Sequence, residues 1–208
     1  MDSQKKIEIM VLIQETLIAN KLDAWQAFLK LYDEGAFKDD DEICNAFQWS
    51  YARGSSNIKR ADVERIASYL HIDMSSDICM LEDIFQPLPD IITIYRGTSM
   101  EELNSPEGLN PSWSLNQGVA EYFAFEYSSP TGERIVLSAT IDKARVLAVY
   151  DRWDEQEIVC LIGREEAKIV CTEPTEKMYQ FIKLREAKIA EQNEPQDNDW
   201  PYGVINQS

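Results

Sequence analysis

Five side chains between residues 96 and 157 could carry the chemistry of a site. In "IYRGTS", residues 94–99, Arg96 interrupts an apolar, strand-like run. A guanidinium there is costly unless it pairs with an acid or meets an anion, and its planar fork suits a carboxylate or a phosphate. Gly97 follows, and a residue without a side chain lets a ligand approach the backbone. In "NPSWSLNQGVAEYFA", residues 110–124, Ser112 and Ser114 flank Trp113. Strand alternation sends the two hydroxyls to one face and the indole to the other. In "DEQEIVCL", residues 154–161, Glu155 and Glu157 stand one residue apart where an acidic stretch meets an apolar one. Read as continuous strand, their carboxylates share a face about 6–7 Å apart, which is unfavourable unless a cation lies between them or one is protonated. Each feature by itself has an ordinary explanation: an arginine paired with a nearby acid, serines that cap a turn, a solvated strand edge.

Other chemistries find less support. There is no G-x-S-x-G elbow, and His71, the single histidine, ends a helical pattern beside no nucleophile, so a histidine-dependent triad is disfavoured. Cys44, Cys79, Cys160 and Cys171 form no C-x-x-C pair, and with one histidine a zinc site is improbable. They read as free thiols of a reducing compartment, and no metal is expected.

The elements that must position these residues follow from periodicity. Residues 5 to about 85 read as helices. Trp25, Phe28, Leu29 and Tyr32 share one face of a helix that Gly35 stops. "DDDEICNAFQWSYARG" opens on capping aspartates and lines Ile43, Phe47 and Tyr51 on one face. Val63, Ile66 and Leu70 repeat the pattern, and all of these apolar faces read as core. "QPLPD" at 86–90 breaks the helical series. "IITIYRG", "RIVLSATI", "RVLAVY", "EIVCLI" and "KIVCTE" then read as short strands. One helix interrupts them, "NQGVAEYFAFEY", with Asn116 as its N-cap, and a late helix follows Pro174. The fold class is α+β: a helical N-terminal part, 1–86, packed on a mostly antiparallel β core, 87–190, with a polar, mobile tail, 191–208.

The 208 residues suit one domain, or one core domain with a helical extension, and 44% apolar residues suffice for a packed core. No apolar run reaches the length of a membrane span, and the N-terminus lacks the cleavage site of a signal peptide, so action in the cytosol is expected. The formal net charge of −17 disfavours extended contact with nucleic acid or anionic membranes and favours a partner with a basic surface.

Taken in order, strand-Tyr-Arg-Gly, then Ser-x-Ser leading into "AEYFA", then E-x-E before an apolar strand, the chain resembles the Arg–Ser–Glu class of ADP-ribosyltransferases, bacterial and phage members above all. The resemblance covers about residues 91–172. It implies an ADP-ribosyltransferase-like fold with two β sheets, NAD as co-substrate, and transfer of ADP-ribose to a macromolecule. Arg96 would hold the NAD pyrophosphate and Gly97 the nicotinamide amide. Ser112 would orient the catalytic glutamate and contact NAD, with Ser114 as strand support or, in a register two residues along, as the active serine. Glu157 would bind the ribose 2′-hydroxyl and stabilise the oxocarbenium ion, while Glu155 would face the acceptor. The cation between the two carboxylates is then the one that the reaction creates. Phe125 or Tyr127 would stack on nicotinamide, and Tyr150 or Trp153, in "YDRWD", would contact the target. Trp113 stands where many members have threonine. The E-x-E form points to arginine of a protein as acceptor. A nucleic-acid acceptor, NAD hydrolysis by water, and an inactive interaction module on the same scaffold are the alternatives. An antitoxin or inhibitor is a further possible partner if the chain is a toxin or effector.

Overall fold

The computed structural model describes residues 3–53, 58–70, 87–127, 132–150 and 155–193. His71, Cys79, Trp153 and the tail beyond 193 lie outside the described residues.

Among the described residues, four α-helices build the N-terminal lobe: α1 Ser3–Asn20, α2 Ala24–Asp33, α3 Asp40–Tyr51 and α4 Arg60–Ile66. Their starts are set by side chains that satisfy orphan N–H groups. Asp23 and Gln26 form a reciprocal capping box on α2, and Asp39 accepts the Glu42 N–H at the start of α3. Gly35, at φ +66°, closes the α2 segment in the left-handed region that glycine occupies without a Cβ penalty. Every residue of α3 from Glu42 to Tyr51 is buried, which makes it the lobe's central helix. Trp25, Phe28, Phe47 and Tyr51 pack ring against ring there.

The rest of the chain gives β1 Ile91–Ser99, α5 Met100–Leu103, β2 Ser112–Ser114 and α6 Gln117–Tyr122, which runs into a π-helical turn over Phe123–Tyr127. Then come β3 Arg134–Asp142, β4 Ala148–Tyr150, β5 Glu157–Val159, β6 Lys168–Cys171 and α7 Glu176–Asn193. The strands join in the order β4-β5-β2-β1-β3-β6, every neighbour antiparallel. Where two sheets are expected, the hydrogen bonds link one six-stranded sheet. Its middle is narrow, since β1 and β2 register at Tyr95 opposite Ser114 alone, whereas β1 and β3 pair along their full length. The physical reason lies at the entry to β2. The Asn110 N–H goes to the Glu102 carboxylate instead of to β1, and at the first residue of β2 the Ser112 carbonyl goes to the Arg96 guanidinium. Beyond Tyr95 the two strands part, and Gly97 and Ser112, which the register would bring opposite each other, do not pair.

Strand alternation divides the core. Trp113, Ile158 and Val149 turn to one face with Ile92, Ile94 and Leu137. Ala148, Tyr150 and Val159 turn to the other and are buried in the same apolar cluster as Trp25, Phe47 and Tyr51. The lobe therefore covers the β4-β5 end of that second face, while α6 covers the β1-β3 end through Ala120, Ala124 and Val136. Tyr95, Ser112, Ser114 and Glu157 belong by register to the strip between them. Among the described residues no helix is long and apolar enough to cross a membrane.

Gly97 owes its identity to this packing. A Cβ there would lie 2.0 Å from the Ala120 carbonyl oxygen and 2.7 Å from the Ala124 nitrogen, both main-chain atoms that cannot swing aside. Gly97→Ala must push α6 off β1. It is expected to lower stability by about 3 kcal/mol or more, read as a drop in the urea midpoint. An unchanged midpoint would show that the helix seat is soft.

Candidate functional site

Residues far apart in sequence meet where β1 and β2 part. The Ser112 hydroxyl donates to Glu157 Oε1 at 2.6 Å, and the Arg96 guanidinium donates to the Ser112 carbonyl at 2.6 Å. Arg96, Ser112 and Glu157 are thus one connected group. The contact selects Ser112, not Ser114, as the partner of Glu157. Trp113 is buried on the opposite face, as alternation requires, and displaces neither serine.

Ser114 does a different job. Its hydroxyl donates to the Glu155 carbonyl at 2.7 Å and accepts the Asn116 N–H at 2.9 Å, while the Leu115 N–H reaches the Gln156 carbonyl at 3.1 Å. These bonds pin the residues before β5 into a turn. Gln156 sits at φ +45°, a left-handed conformation that costs a side-chain-bearing residue about 1–2 kcal/mol. Glu155 and Glu157 are therefore not two same-face residues of one strand, as alternation suggests. The strand begins at Glu157, and the turn at Gln156 re-aims Glu155 relative to it.

Arg96 is more tightly engaged than a waiting anion clamp. Its Nε and an Nη reach the two oxygens of Glu102 at 3.0 and 3.1 Å. Glu102 also accepts the Thr98 hydroxyl at 2.5 Å and the Asn110 N–H at 2.9 Å. Burial alone would raise the Glu102 carboxyl, but Arg96, Thr98 and that N–H outweigh it and hold it below its ordinary 4.5. Glu157 goes the other way. Burial pushes its carboxyl above 4.5, against the downward pull of Ser112, Tyr51 and the Arg96 charge. Two carboxylates beside one arginine are thus poised differently by their surroundings.

Two members of this group are not evident as site residues in the sequence. Glu102 has a signal that can be read: "SMEE" is an S-x-x-E start of a helix, and Ser99 does cap α5 by accepting the Glu102 N–H. Its carboxylate, however, turns to Arg96 rather than back to the cap. Tyr51 has only a core pattern, yet its hydroxyl lies 3.4 Å from Glu157 Oε1.

Of the aromatic expectations, the one for Tyr150 needs correction. Tyr150 is buried, stacks on Tyr51 with ring centroids 5.4 Å apart, and donates to the Gln48 carbonyl at 3.2 Å. It fastens the lobe to the sheet and is not presented to a macromolecular acceptor. Phe125 packs against the small cluster of Ala120, Ala124 and Val136, while Tyr127 is exposed and leans on Phe123. Neither is among the bonding partners of Arg96, Ser112 or Glu157.

Cys44 and Cys160 are buried free thiols and Cys171 is half-buried. Burial pushes the Cys160 thiol up to about 12, which removes it as a nucleophile. Among the described residues no cluster of His, Cys, Asp or Glu is placed to hold a metal ion. A cleft of about 520 Å³ opens beside Glu102, lined by Arg60, Ser99 and Asn110, but Ser112 and Glu157 do not line it. Comparison with known proteins finds no match to this chain, whether among protein-family models, curated proteins or solved structures.

Glu102→Ala leaves a largely buried Arg96 without its carboxylate and is expected to cost about 2–3 kcal/mol at neutral pH. The Glu102 carboxyl is depressed in the folded state. Its contribution is therefore complete above about pH 4.5 and is lost as pH falls through the lower folded value. Denaturant titrations of both proteins should show the difference shrinking below about pH 4.5. A gap that persists undiminished into acid would mean that the Glu102 charge is not what holds Arg96.

Proposed function

We propose that the chain is a mono-ADP-ribosyltransferase of the Arg–Ser–Glu class, which cleaves NAD at the nicotinamide–ribose bond and transfers ADP-ribose to arginine of a protein. The observation that carries this reading is the connected Arg96–Ser112–Glu157 group at the parting of β1 and β2. These are the residues that the three motifs single out, and the Ser112–Glu157 contact is the one that the resemblance leads one to look for. The narrow seam at Tyr95 and Ser114 lends the reading some support, since within the single sheet it marks off β4-β5-β2 from β1-β3-β6.

The chemistry follows from the carboxylates. As the glycosidic bond breaks, its electron pair leaves with nicotinamide, whose ring nitrogen becomes neutral. The positive charge passes to the ribose as an oxocarbenium ion. An ionised Glu157, fixed at Oε1 by Ser112, stabilises that charge and accepts from the ribose 2′-hydroxyl. An arginine nitrogen of the target then attacks the anomeric carbon, and Glu155 takes the proton it releases. Arg96 contributes first as a strut, tied to Glu102 and to the Ser112 main chain, and its remaining N–H groups meet the NAD pyrophosphate. The acidity of the chain matches a basic protein surface as partner, and action as a toxin or effector in the cytosol fits this reading.

The test is incubation with NAD labelled in its adenine, with a cell extract as acceptor, followed by nuclease or protease. Label that survives nuclease and is lost to protease is expected; the reverse would move the target to nucleic acid. Free ADP-ribose alone would leave a hydrolase. Glu157→Gln is expected to lower NAD cleavage at least a thousandfold, and retained activity would sink the assignment. Because Glu157 works ionised and its carboxyl is raised, kcat/KM should fall as pH drops through a midpoint above 4.5. Glu155→Ala is expected to lose transfer to protein while keeping slow hydrolysis; equal loss of both would remove Glu155 from acceptor handling.

A further inference from the structure

Tyr51 is the last residue of α3, far from the β core in sequence, and buried. Its ring lies nearly parallel to that of Tyr150, at an interplanar angle of 4°, and Trp25 meets it edge-on at 6.0 Å. A phenylalanine would fill that space equally well, so the hydroxyl is not explained by packing. It leaves the apolar interior of the lobe and lies 3.4 Å from Glu157 Oε1, the same oxygen that Ser112 approaches at 2.6 Å. Both hydroxyls lie on one oxygen of the carboxylate, and Oε2 has neither.

Burial, the Glu157 charge and its hydrogen bond hold the Tyr51 phenol well above its ordinary 10. It stays protonated across the working range and remains a donor. A second donor on that oxygen, at 3.4 Å a long one, adds a restraint on the roll of the carboxylate to the one that Ser112 supplies.

We propose that Tyr51 is a positioning residue for Glu157: the helical lobe supplies a second hydroxyl that holds Oε1, so that Oε2 is turned to the ribose of NAD. This rests on the catalytic assignment of Glu157 made above. It makes the lobe a working part of the site rather than an attachment to it. Tyr51 touches no substrate atom and acts only through the carboxylate.

The groups that face Glu157 decide what removing the hydroxyl does. Ser112 comes from β2, Arg96 reaches in from β1 and Tyr51 from α3. Tyr150, on β4, turns its hydroxyl away to the Gln48 carbonyl. Glu155 lies across the turn at Gln156, and its carbonyl is held by Ser114. Ser112, Tyr51 and Arg96 all favour the ionised carboxylate, against burial. Loss of one donor leaves burial less opposed, and the carboxyl rises further.

Tyr51→Phe removes the hydroxyl and keeps the ring. It is expected to shift the acidic limb of kcat/KM for NAD cleavage upward by about half a pH unit. Activity below the midpoint should fall about threefold and recover to within about twofold on the alkaline plateau. A purely structural role would lower the Tm without moving the limb. Carbon-13 NMR of the labelled Glu157 carboxyl, followed against pH without NAD, should show the same upward shift. An unmoved limb together with an unmoved carboxyl titration would overturn the proposal. Should Tyr51→Phe fail to fold, 3-fluorotyrosine placed at position 51 is a stronger donor of nearly the same size. It should move the Glu157 titration downward, and no movement would overturn the proposal. If Glu157→Gln retains NAD cleavage, the catalytic assignment of Glu157 falls. The carboxyl titration still decides whether Tyr51 holds Glu157.

Discussion

Strands β1 and β2 touch at one register position, Tyr95 opposite Ser114, and part on the Gly97 side of it. An open seam inside a sheet leaves main-chain groups without ladder partners, and buried groups of that kind are costly. The side chains around the seam answer that need. Arg96 takes the Ser112 carbonyl, Glu102 takes the Asn110 N–H, and Ser114 ties the Glu155 carbonyl to the start of α6. The polar residues at the site are therefore also the ones that let the sheet open without breaking. A substitution made to probe chemistry here also tests the sheet, and activity losses mean little without a parallel measurement of folding.

The same arginine stands beside two acids and leaves them in opposite states. Glu102 receives a bidentate grip, a hydroxyl and a main-chain N–H, and its carboxyl is lowered despite burial. Glu157 receives hydroxyl donors and feels Arg96 only through space, so burial wins and its carboxyl is raised. Linkage gives these shifts opposite signs. The Glu102 contribution to stability is present above about pH 4.5 and is lost toward acid. That of Glu157 is complete below about pH 4.5 and is lost as pH rises through its folded value. The state proposed for catalysis, an ionised Glu157, is the one that the fold favours less. Perturbed carboxyls of this sort gather at functional sites, and buried structural groups show them as well.

Much of this was legible because it is periodic or local. The buried faces of α2 and α3, the position of Trp113 opposite the two serines, the Asn116 cap and the stop at Gly35 all follow from alternation, helical spacing or cap chemistry. Three things were not. The left-handed Gln156 breaks the alternation assumed for Glu155 and Glu157, and a glutamine carries no signal for that conformation, as a glycine would. Gly97 was legible as a close approach, but its intruder is the backbone of α6, which no pattern at residue 97 names. Tyr51 and Tyr150 lie in separate halves of the chain, and each carries an ordinary core pattern. Their stacking depends on how the lobe docks, a long-range fact with no local period.

That docking bears on what the lobe is for. An appended domain buries its own core and meets its neighbour through a polar interface. Here Ala148, Tyr150 and Val159 of the sheet sit inside the cluster built by Trp25, Phe28 and Phe47. Arg60 of α4 reaches the Ile162 carbonyl beyond β5 at 2.6 Å. The helices up to residue 70 and the strands from residue 91 on therefore share part of one core. The residue that follows this logic to the site is Tyr51, whose ring belongs to the lobe and whose hydroxyl belongs to Glu157. A movement of α3 large enough to break the Tyr51–Tyr150 stack would uncover apolar surface and take the Tyr51 hydroxyl off the carboxylate, leaving it to Ser112. On the proposal made for Tyr51, the docking of the lobe and the state of Glu157 are coupled through that side chain.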